Sequence, residues 1–286
     1  MRVLITGAAG QLGRALLATT PAGFHVTGVD LADFDIGDEA AVGKAVAALY
    51  PDLIINAAAY TAVDKAESEA EAAFRINRDS VRYLAQAAKK GGARLIHVST
   101  DFVFDGRAHR PYAPDAPTAP LGVYGASKLA GEVEAAAVGA LIVRTAWLYS
   151  AGGANFVRTM LRLFNERPSV NVVADQIGTP TSALSLARAL WALNDNGATG
   201  LNHYTDAGAA SWYDLAQAVF EEGSVRGLCP TGVVVVPIRT EDYPTPAQRP
   251  AYSVLDKTAT WAAIGWRPMH WREELRATLD RIAADG

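Results

Sequence analysis

The sequence contains very little cysteine, since Cys229 is the only one among 286 residues. A single thiol can form neither an internal disulfide nor a cysteine-rich metal site, which excludes disulfide-stapled and zinc-ribbon domains. We expect Cys229 to be a small buried side chain. A chain without disulfides fits a reducing compartment, so we expect a cytoplasmic protein.

The chain also lacks an excess of positive charge and a long hydrophobic run. Lys and Arg total 26 against 30 for Asp and Glu, a net charge of -4, so the composition offers no broad basic surface for a nucleic-acid backbone. The apolar stretch that leads into Gly7 is too short for a signal peptide and far too short to span a membrane. We therefore expect neither a nucleic-acid partner nor membrane association.

Hydrophobic residues make up 50% of the chain, enough for a large core. Up to about residue 145, short β-branched runs alternate with longer Ala-rich segments of helical period, a pattern typical of βαβ units around a parallel sheet. The expected strands are Val3–Thr6, His25–Val29, Leu53–Asn56, Leu95–Ser99 and Leu141–Arg144. The expected helices are Gln11–Leu17, Asp38–Leu49, Ala70–Lys89 and Tyr124–Ala137. This pattern predicts an α/β protein with a doubly wound parallel sheet.

Beyond Trp147 the regularity loosens into helices separated by Gly/Pro loops. The expected elements are helices at Asn155–Asn165, Ser182–Leu193, Trp212–Glu222 and Trp271–Ile282 and a strand at Val233–Val236. We predict a main domain at residues 1–147 and a smaller C-terminal α/β lobe at 148–286 that binds substrate, with the alternative that the second part returns strands to the main sheet. A ligand is expected between the two lobes.

A glycine-rich turn follows the first expected strand and opens the first helix. Its glycines, Gly7, Gly10 and Gly13, can make a tight turn and let backbone N–H groups reach a pyrophosphate at the helix N-terminus, as in a Rossmann dinucleotide-binding domain. Alternatively, they only let the helix pack on the strand. The Gly-x-x-Gly-x-x-Gly spacing resembles the extended branch of the short-chain dehydrogenase/reductase superfamily. We predict that the turn, with Gln11 and Leu12, binds NADH or NADPH.

Acidic residues follow the second strand about 20 residues past the glycines. Asp30 can accept hydrogen bonds from the adenosine ribose and would repel a 2′-phosphate, which favours NADH over NADPH. Asp30 could instead cap the following turn, and Asp33 and Asp35 compete for the acidic role. The superfamily resemblance implies that Asp35 and Ile36 flank the adenine.

Small residues after the third strand leave room for a dinucleotide. The run Asn-Ala-Ala-Ala-Tyr-Thr begins at Asn56, and ordinary tight packing is the alternative explanation. The resemblance alone implies that Ala59, Tyr60 and Thr61 contact the cofactor.

The residues expected to carry the chemistry are Tyr124 and Lys128, four apart on one helix, together with the strand-end Thr100. A nearby ammonium stabilises a phenolate, so we expect Lys128 to lower the pKa of Tyr124 and to hold the nicotinamide ribose. Thr100 would hydrogen-bond a substrate carbonyl, and Asp101 would hold a sugar hydroxyl or order the loop. The alternative is a surface Tyr-x-x-x-Lys pair without function.

Over nearly its whole length the sequence resembles the dTDP-4-dehydrorhamnose reductase family. The matching segments are the opening residues 3–13, Asn56–Glu67, Ser99–Asp105, Tyr124–Glu132, Arg144–Tyr149, Asn155–Phe156, Asp175–Thr181 and Arg249–Asp256. The resemblance implies that Trp147, Asn155, Gln176 and Arg249 frame a dTDP-sugar, with an aromatic for stacking and an Arg for a diphosphate. Alternatively, Trp147 is a core aromatic and Arg249 a solvated charge.

The resemblance implies reduction of the 4-keto group of dTDP-4-dehydro-6-deoxy-L-mannose to dTDP-L-rhamnose. A related dTDP-deoxysugar 4-ketoreductase, a nucleotide-sugar epimerase or dehydratase, and a non-catalytic dinucleotide-binding regulatory subunit stay open as alternatives. Some family members form Mg²⁺-bridged dimers through glutamates, one of them early in the first helix, where this chain has Ala15. We therefore expect no metal site and no Mg²⁺ requirement, and either a monomer or a homodimer.

Overall fold

The computed structural model describes residues 1–285, so residue 286, the last of the expected second lobe, lies outside the described part. The first half contains β1 (Arg2–Thr6), α1 (Gln11–Ala18), β2 (His25–Val29), α2 (Glu39–Leu49), β3 (Leu53–Asn56), α3 (Val63–Ala66), α4 (Ala70–Phe74), α5 (Ser80–Gly91), β4 (Arg94–Thr100), α6 (Val123–Ala136) and β5 (Leu141–Thr145). The second half contains β6 (Leu148–Tyr149), α7 (Phe156–Glu166), β7 (Ser169–Val173), β8 (Ile177–Gly178), β9 (Thr181–Ser182), α8 (Ala183–Asp195), β10 (Gly200–His203), β11 (Ala210–Ser211), α9 (Trp212–Val225), β12 (Val234–Ile238), α10 (Thr258–Ile264) and α11 (Trp271–Asp285).

A six-stranded sheet in the order β10-β5-β4-β3-β1-β2 forms the centre of the molecule, and every pair in it is parallel. Its central strands are covered on both faces, which is why β3 and β5 are continuous runs of buried residues. The chain leaves β1 towards β2 on one side and later returns to β3 on the other. This reversal opens a crevice at the carboxyl ends of β1 and β3, where ligands of such sheets bind. The predicted doubly wound α/β fold is confirmed.

The helices that cover the main sheet come from both halves of the chain. One core joins β1 to α1 and α8 through residues such as Ile5, Leu16 and Leu190. A second core covers the opposite face through α2, α5 and α6. Because β10 pairs with β5, residues of the second half complete both the sheet and one of its covering layers. The boundary at residue 147 stays a prediction.

The rest of the second half packs around a separate core. Helices α7, α9 and α11 cover the two-stranded parallel sheet of β7 and β12, with Phe164, Leu215 and Leu279 among the buried side chains. Helix α7 is strongly amphipathic, which fits a helix with one face on this core. Among residues 1–285, no helix has both the length and the apolar character needed to cross a bilayer.

One expected helix is interrupted. The sequence predicts a single α-helix at Ala70–Lys89, but a π-helical segment, Arg75–Asp79, separates α4 from α5. Residue Asn77 in this segment is 1% exposed and hydrogen-bonds backbone and side-chain groups distant in sequence. Hydrophobic periodicity carries no signal for such a long-range polar contact, so the prediction of one continuous α-helix was wrong here.

Candidate active site

The glycine-rich turn connects β1 to α1 at the carboxyl edge of the sheet. Gly7 has a φ of +70°, and a Cβ on Gly13 would lie 2.2 Å from the Gly7 carbonyl oxygen. Gly10 is the N-cap of α1 and makes no side-chain capping bond, and the first turn of α1 contains no acidic residue. Its first N–H groups therefore lack intrahelical partners and suit an anionic group such as a pyrophosphate.

The Asp30 carboxylate contacts the same turn. Its Oδ2 accepts a hydrogen bond from the Ala9 N–H at 2.9 Å, and its Oδ1 accepts one from the Leu31 N–H at 2.8 Å. Asp33 accepts from the Asp30 N–H at 2.8 Å, so it is the residue that closes the loop after β2. Asp30 therefore lies at the glycine turn, and each of its carboxylate oxygens already accepts one backbone hydrogen bond.

Asp35 is engaged in an ion pair. Its Oδ2 lies 2.7 Å from Nη1 of Arg75, which holds the pKa of the Asp35 carboxyl below its usual value. The neighbouring Ile36 packs against the core under β2 and α2. Contact of either residue with an adenine stays a prediction.

Asn77 holds the loop that follows β3 against the helix of Tyr124. Its Oδ1 accepts from the Tyr60 N–H at 2.9 Å, and its Nδ2 donates to the Tyr60 carbonyl at 3.1 Å and to the Ser127 Oγ at 3.0 Å. Asn77 was not predicted as a site residue, because nothing in its neighbourhood marks it as more than a helical residue. It fixes the backbone beside Ala59 and Thr61, both expected cofactor contacts.

Tyr124 and Thr100 are brought together where α6 meets the end of β4. A Cβ on Gly125 would lie 2.2 Å from the Phe102 carbonyl oxygen, so glycine permits this close approach. The Phe102 ring meets the Tyr124 ring edge to face at 5.5 Å, and the Thr100 side chain lies against the Tyr124 hydroxyl. The strand-end hydroxyl and the phenol are thus neighbours at the end of β4.

The pKa of Tyr124 shifts in the direction opposite to the one expected from Lys128. Burial raises the pKa of Tyr124 to about 12, with a further rise from Asp101 and an opposing effect of Thr100. Lys128 is 2% exposed, and its Nζ donates to the Val98 carbonyl at 2.7 Å; burial lowers the pKa of Lys128 to about 8. The structure therefore shows no lowering of the Tyr124 pKa by Lys128. A phenol with so high a pKa is fully protonated at neutral pH and has a proton to donate.

Asp101 is buried beside Thr100. Its Oδ1 accepts from the Thr100 Oγ1 at 3.0 Å, and Ser253 from the C-terminal part of the chain faces the same carboxylate. Burial raises the pKa of Asp101 to about 6. The carboxylate therefore orders the loop after β4, and binding of a sugar hydroxyl by it stays a prediction.

Trp147 and Gln176 meet through a third residue, Trp212. The rings of Trp147 and Trp212 stack at 3.5 Å with an interplanar angle of 4°, and the Trp212 Nε1 donates to Oε1 of Gln176 at 3.2 Å. Trp147 has a φ of +48°, and a Cβ on Gly178 would lie 2.6 Å from its indole. Trp212 was predicted only as a helical residue, because stacking between rings 65 residues apart leaves no local pattern in the sequence.

Asn155 and Arg249 lie apart from that aromatic pair. Asn155 caps α7 through the Arg158 N–H, and its Nδ2 donates to Oε1 of Gln11 at 3.1 Å, so it joins the second lobe to the glycine turn. Arg249 forms a bidentate ion pair with Asp64 at 2.6 and 2.7 Å. The structure thus gives Arg249 a carboxylate partner, and its contact with a diphosphate stays a prediction.

Within residues 1–285, no group of three or more His, Cys, Asp or Glu side chains is arranged to hold a metal ion. The absence of a Mg²⁺ requirement stays a prediction that only a measurement can decide.

Comparisons with known proteins agree on one family. The family model described as RmlD substrate binding domain matches residues 1–284. The chain is 42% identical to a dTDP-4-dehydrorhamnose reductase of Burkholderia thailandensis over 285 residues, covering 95% of this chain and 96% of the relative. The crystal structure of a dTDP-4-dehydrorhamnose reductase from Clostridium acetobutylicum has a TM-score of 0.93 and 39% identity, covering 99% of both chains.

A second similar solved structure contains a bound dinucleotide. The dTDP-4-dehydrorhamnose reductase of Bacillus anthracis, in complex with NADP, has a TM-score of 0.91 and 37% identity, covering 98% of this chain and 99% of that one. The family model and the full-length relatives together show that the chain belongs to the dTDP-4-dehydrorhamnose reductase family.

Proposed function

We propose that this protein reduces the 4-keto group of dTDP-4-dehydro-6-deoxy-L-mannose (dTDP-4-dehydrorhamnose) with NADH or NADPH to give dTDP-L-rhamnose. The observation that carries the proposal is the convergence of Tyr124 and Thr100 at the carboxyl end of β4, with Lys128 buried one helical turn further along α6. The names of the relatives support the substrate and the reaction.

The nicotinamide supplies the hydride that reduces the C4 keto carbon. Tyr124 donates its proton to the alkoxide oxygen that develops, and its raised pKa keeps that proton in place until the oxygen becomes basic. Thr100, whose hydroxyl donates to Asp101 in the structure, would turn this proton to the same oxygen and so orient the carbonyl. The Lys128 ammonium, one helical turn further along α6, would hold the nicotinamide ribose through charge-assisted hydrogen bonds.

The residues that would hold the dinucleotide fit it. The glycine turn packs so closely that a Cβ on Gly13 would collide with backbone, and the N-terminus of α1 has no side-chain cap, so its N–H groups suit a pyrophosphate. Asp30 beside the turn favours NADH, whereas the Bacillus anthracis relative is in complex with NADP. We propose that both cofactors are used, with NADH preferred.

We propose that Trp147, Gln176, Asn155 and Arg249 bind the dTDP-sugar in the cleft between the main sheet and the second lobe. Trp147 and Trp212 stack on each other and are each only partly buried, so their remaining ring surface is apolar and could contact a sugar or base. Arg249 is engaged by Asp64, so it would have to exchange this partner, or share it, to contact a diphosphate. We propose a cytoplasmic monomer or homodimer.

The test is to incubate the purified protein with dTDP-4-dehydrorhamnose, generated from dTDP-glucose by a 4,6-dehydratase and a 3,5-epimerase, and to follow consumption of NADH or NADPH. Nucleotide-sugar analysis should show dTDP-L-rhamnose, with and without EDTA. A different epimer would identify a sister 4-ketoreductase. Conversion without consumption of cofactor, by protein that retains NAD through purification, would indicate an epimerase or dehydratase. No turnover of any dTDP-sugar would favour a regulatory subunit.

A further inference from the structure

The face of α6 that carries Tyr124 and Lys128 continues to Glu132, because residues four apart on a helix lie one above the other. Strand β4 is joined to this face at successive residues. The Lys128 Nζ donates to the Val98 carbonyl at 2.7 Å, and the Ser99 Oγ donates to Oε1 of Glu132 at 2.6 Å. Strand and helix are thus fixed to each other next to the end of β4.

Glu132 is held by a buried bidentate ion pair. Its Oε1 accepts from Nε of Arg144 at 2.8 Å and its Oε2 accepts from Nη2 at 2.6 Å, and the two side chains are 6% and 3% exposed. Arg144 also donates to the Pro114 carbonyl at 3.1 Å and lies over the Phe104 ring at 5.0 Å. Buried ion pairs rarely stabilise a fold more than apolar side chains of the same volume would. The charge at this position therefore calls for an explanation other than stability.

Few charged groups face Lys128. On α6 these are Tyr124, which is neutral, and Glu132, whose charge favours the ammonium against the effect of burial. On β4 it is His97, which burial keeps neutral because its pKa lies well below the usual value. Arg144 on β5 contacts the carboxylate of Glu132. Glu132 is thus the anion available to the buried ammonium.

We propose that Glu132, fixed by Arg144 and Ser99, is a positioning residue for the reduction: it aligns α6 with the end of β4 and supplies the negative charge that retains Lys128 as an ammonium. The proposal rests on the proposed function for its catalytic meaning. The effect of Glu132 on the pKa of Lys128 can be measured without turnover.

The experiment is NMR titration of Lys128 in protein labelled with ¹³C at the lysine ε-carbons. The chain has six lysines, and the signal of Lys128 is identified by its loss in Lys128→Met. Lys257 is a matched internal control, since it is also buried, its pKa is also about 8, and its acidic neighbours are Asp206 and Asp256 rather than Glu132. We expect the Lys128 midpoint to fall by about 1 pH unit or more in Glu132→Gln and to stay near its wild-type value in Glu132→Asp, which keeps the charge.

The double variant Glu132→Gln/Arg144→Met removes both charges and keeps the buried volume. It therefore tests the effect of Glu132 on Lys128 if the single variant does not fold. Its Lys128 midpoint should lie below wild type but above Glu132→Gln, in which an unpaired Arg144 repels the ammonium. An unchanged Lys128 midpoint in the folded variants, or an equal shift of Lys257, would overturn the proposal. The titration uses no sugar substrate, so its outcome does not depend on turnover. Absence of reductase activity would contradict the proposed function but would not change the measured Lys128 midpoints.

Discussion

At the scale of single residues, Tyr124 has the most demanding role, because it is the proton donor in the proposed reduction. We predict that Tyr124→Phe lowers kcat by roughly a hundredfold or more, the usual contribution of general acid catalysis, and leaves cofactor and substrate affinity nearly intact. Steady-state kinetics and binding titrations check this. The control is Tyr243→Phe, which alters an exposed ring. Retention of most of kcat in Tyr124→Phe would mean that another group donates the proton.

Asp30 is the residue on which we expect the cofactor preference to depend. We predict that Asp30→Ala weakens or reverses the preference for NADH, because it removes the carboxylate that repels a 2′-phosphate. The measurement is the ratio of kcat/KM for the two cofactors. Asp33→Ala is the matched control, since Asp33 lies in the same loop and accepts a hydrogen bond from the Asp30 N–H. A ratio that changes in Asp33→Ala and not in Asp30→Ala would assign the role to Asp33.

Single chemical groups can be picked out of the sequence more readily than the partners that they meet in the fold. Tyr124, Lys128 and Thr100 follow from spacing on a helix and from a strand end, and the structure brings Tyr124 and Thr100 together. The direction of the Tyr124 pKa shift could not be predicted, because it depends on burial. Asn77 and Trp212 were missed because each acts through contacts made far along the chain.

At the scale of elements, the turn between β1 and α1 depends on a residue without a side chain. We predict that Gly13→Ala weakens dinucleotide binding by at least about tenfold, or ~1.4 kcal/mol, because its Cβ would lie 2.2 Å from the Gly7 carbonyl oxygen and the turn must open. Calorimetric titration with NADH measures the affinity. Gly43→Ala in α2 is the control, since a Cβ there meets nothing within 4 Å.

We expect Gly43→Ala to leave the NADH affinity unchanged. It should raise the free energy of unfolding by about 0.5–1 kcal/mol, the usual difference between Ala and Gly inside a helix. Equal NADH affinity in Gly13→Ala and the wild type would contradict the account of the turn.

Elements that depend on local patterns were predicted well, and those that depend on distant pairing were not. The five expected strands of the first half all lie in the main sheet, because runs buried on both faces are visible in the sequence. The assignment of β10 to the same sheet requires knowledge of its partner β5, and its sequence Gly-Leu-Asn-His gives no such signal.

At the scale of the whole molecule, pH should act on stability through Asp206, which lies outside the proposed site. Asp206 is fully buried, accepts the Ser182 N–H at 2.8 Å, and has its pKa raised by burial from 3.8 to about 8. Between these two values the folded protein retains a proton that the unfolded chain has released. The resulting stabilisation is complete below the lower value and is lost as pH rises through the higher one.

We therefore predict that the free energy of unfolding of the wild type falls between pH 6.5 and 8 more steeply than that of Asp206→Asn, which has no proton to lose. Denaturant titrations at several pH values measure both. The two buried histidines are neutral in the folded protein and half protonated in the unfolded chain at pH 6.5, but they are present in both proteins, so their contribution cancels in the comparison. Parallel pH profiles of wild type and Asp206→Asn would show that Asp206 does not titrate as described.

The central claim is that a hydride passes from the nicotinamide to C4 of the sugar and stays in the product. The most direct measurement uses cofactor carrying deuterium at the transferring position of the nicotinamide, with dTDP-4-dehydrorhamnose as substrate, followed by mass spectrometry and NMR of the nucleotide-sugar. We expect dTDP-L-rhamnose that carries deuterium at C4, formed in step with oxidised cofactor. Unlabelled product, formed while the cofactor stays reduced, would contradict it.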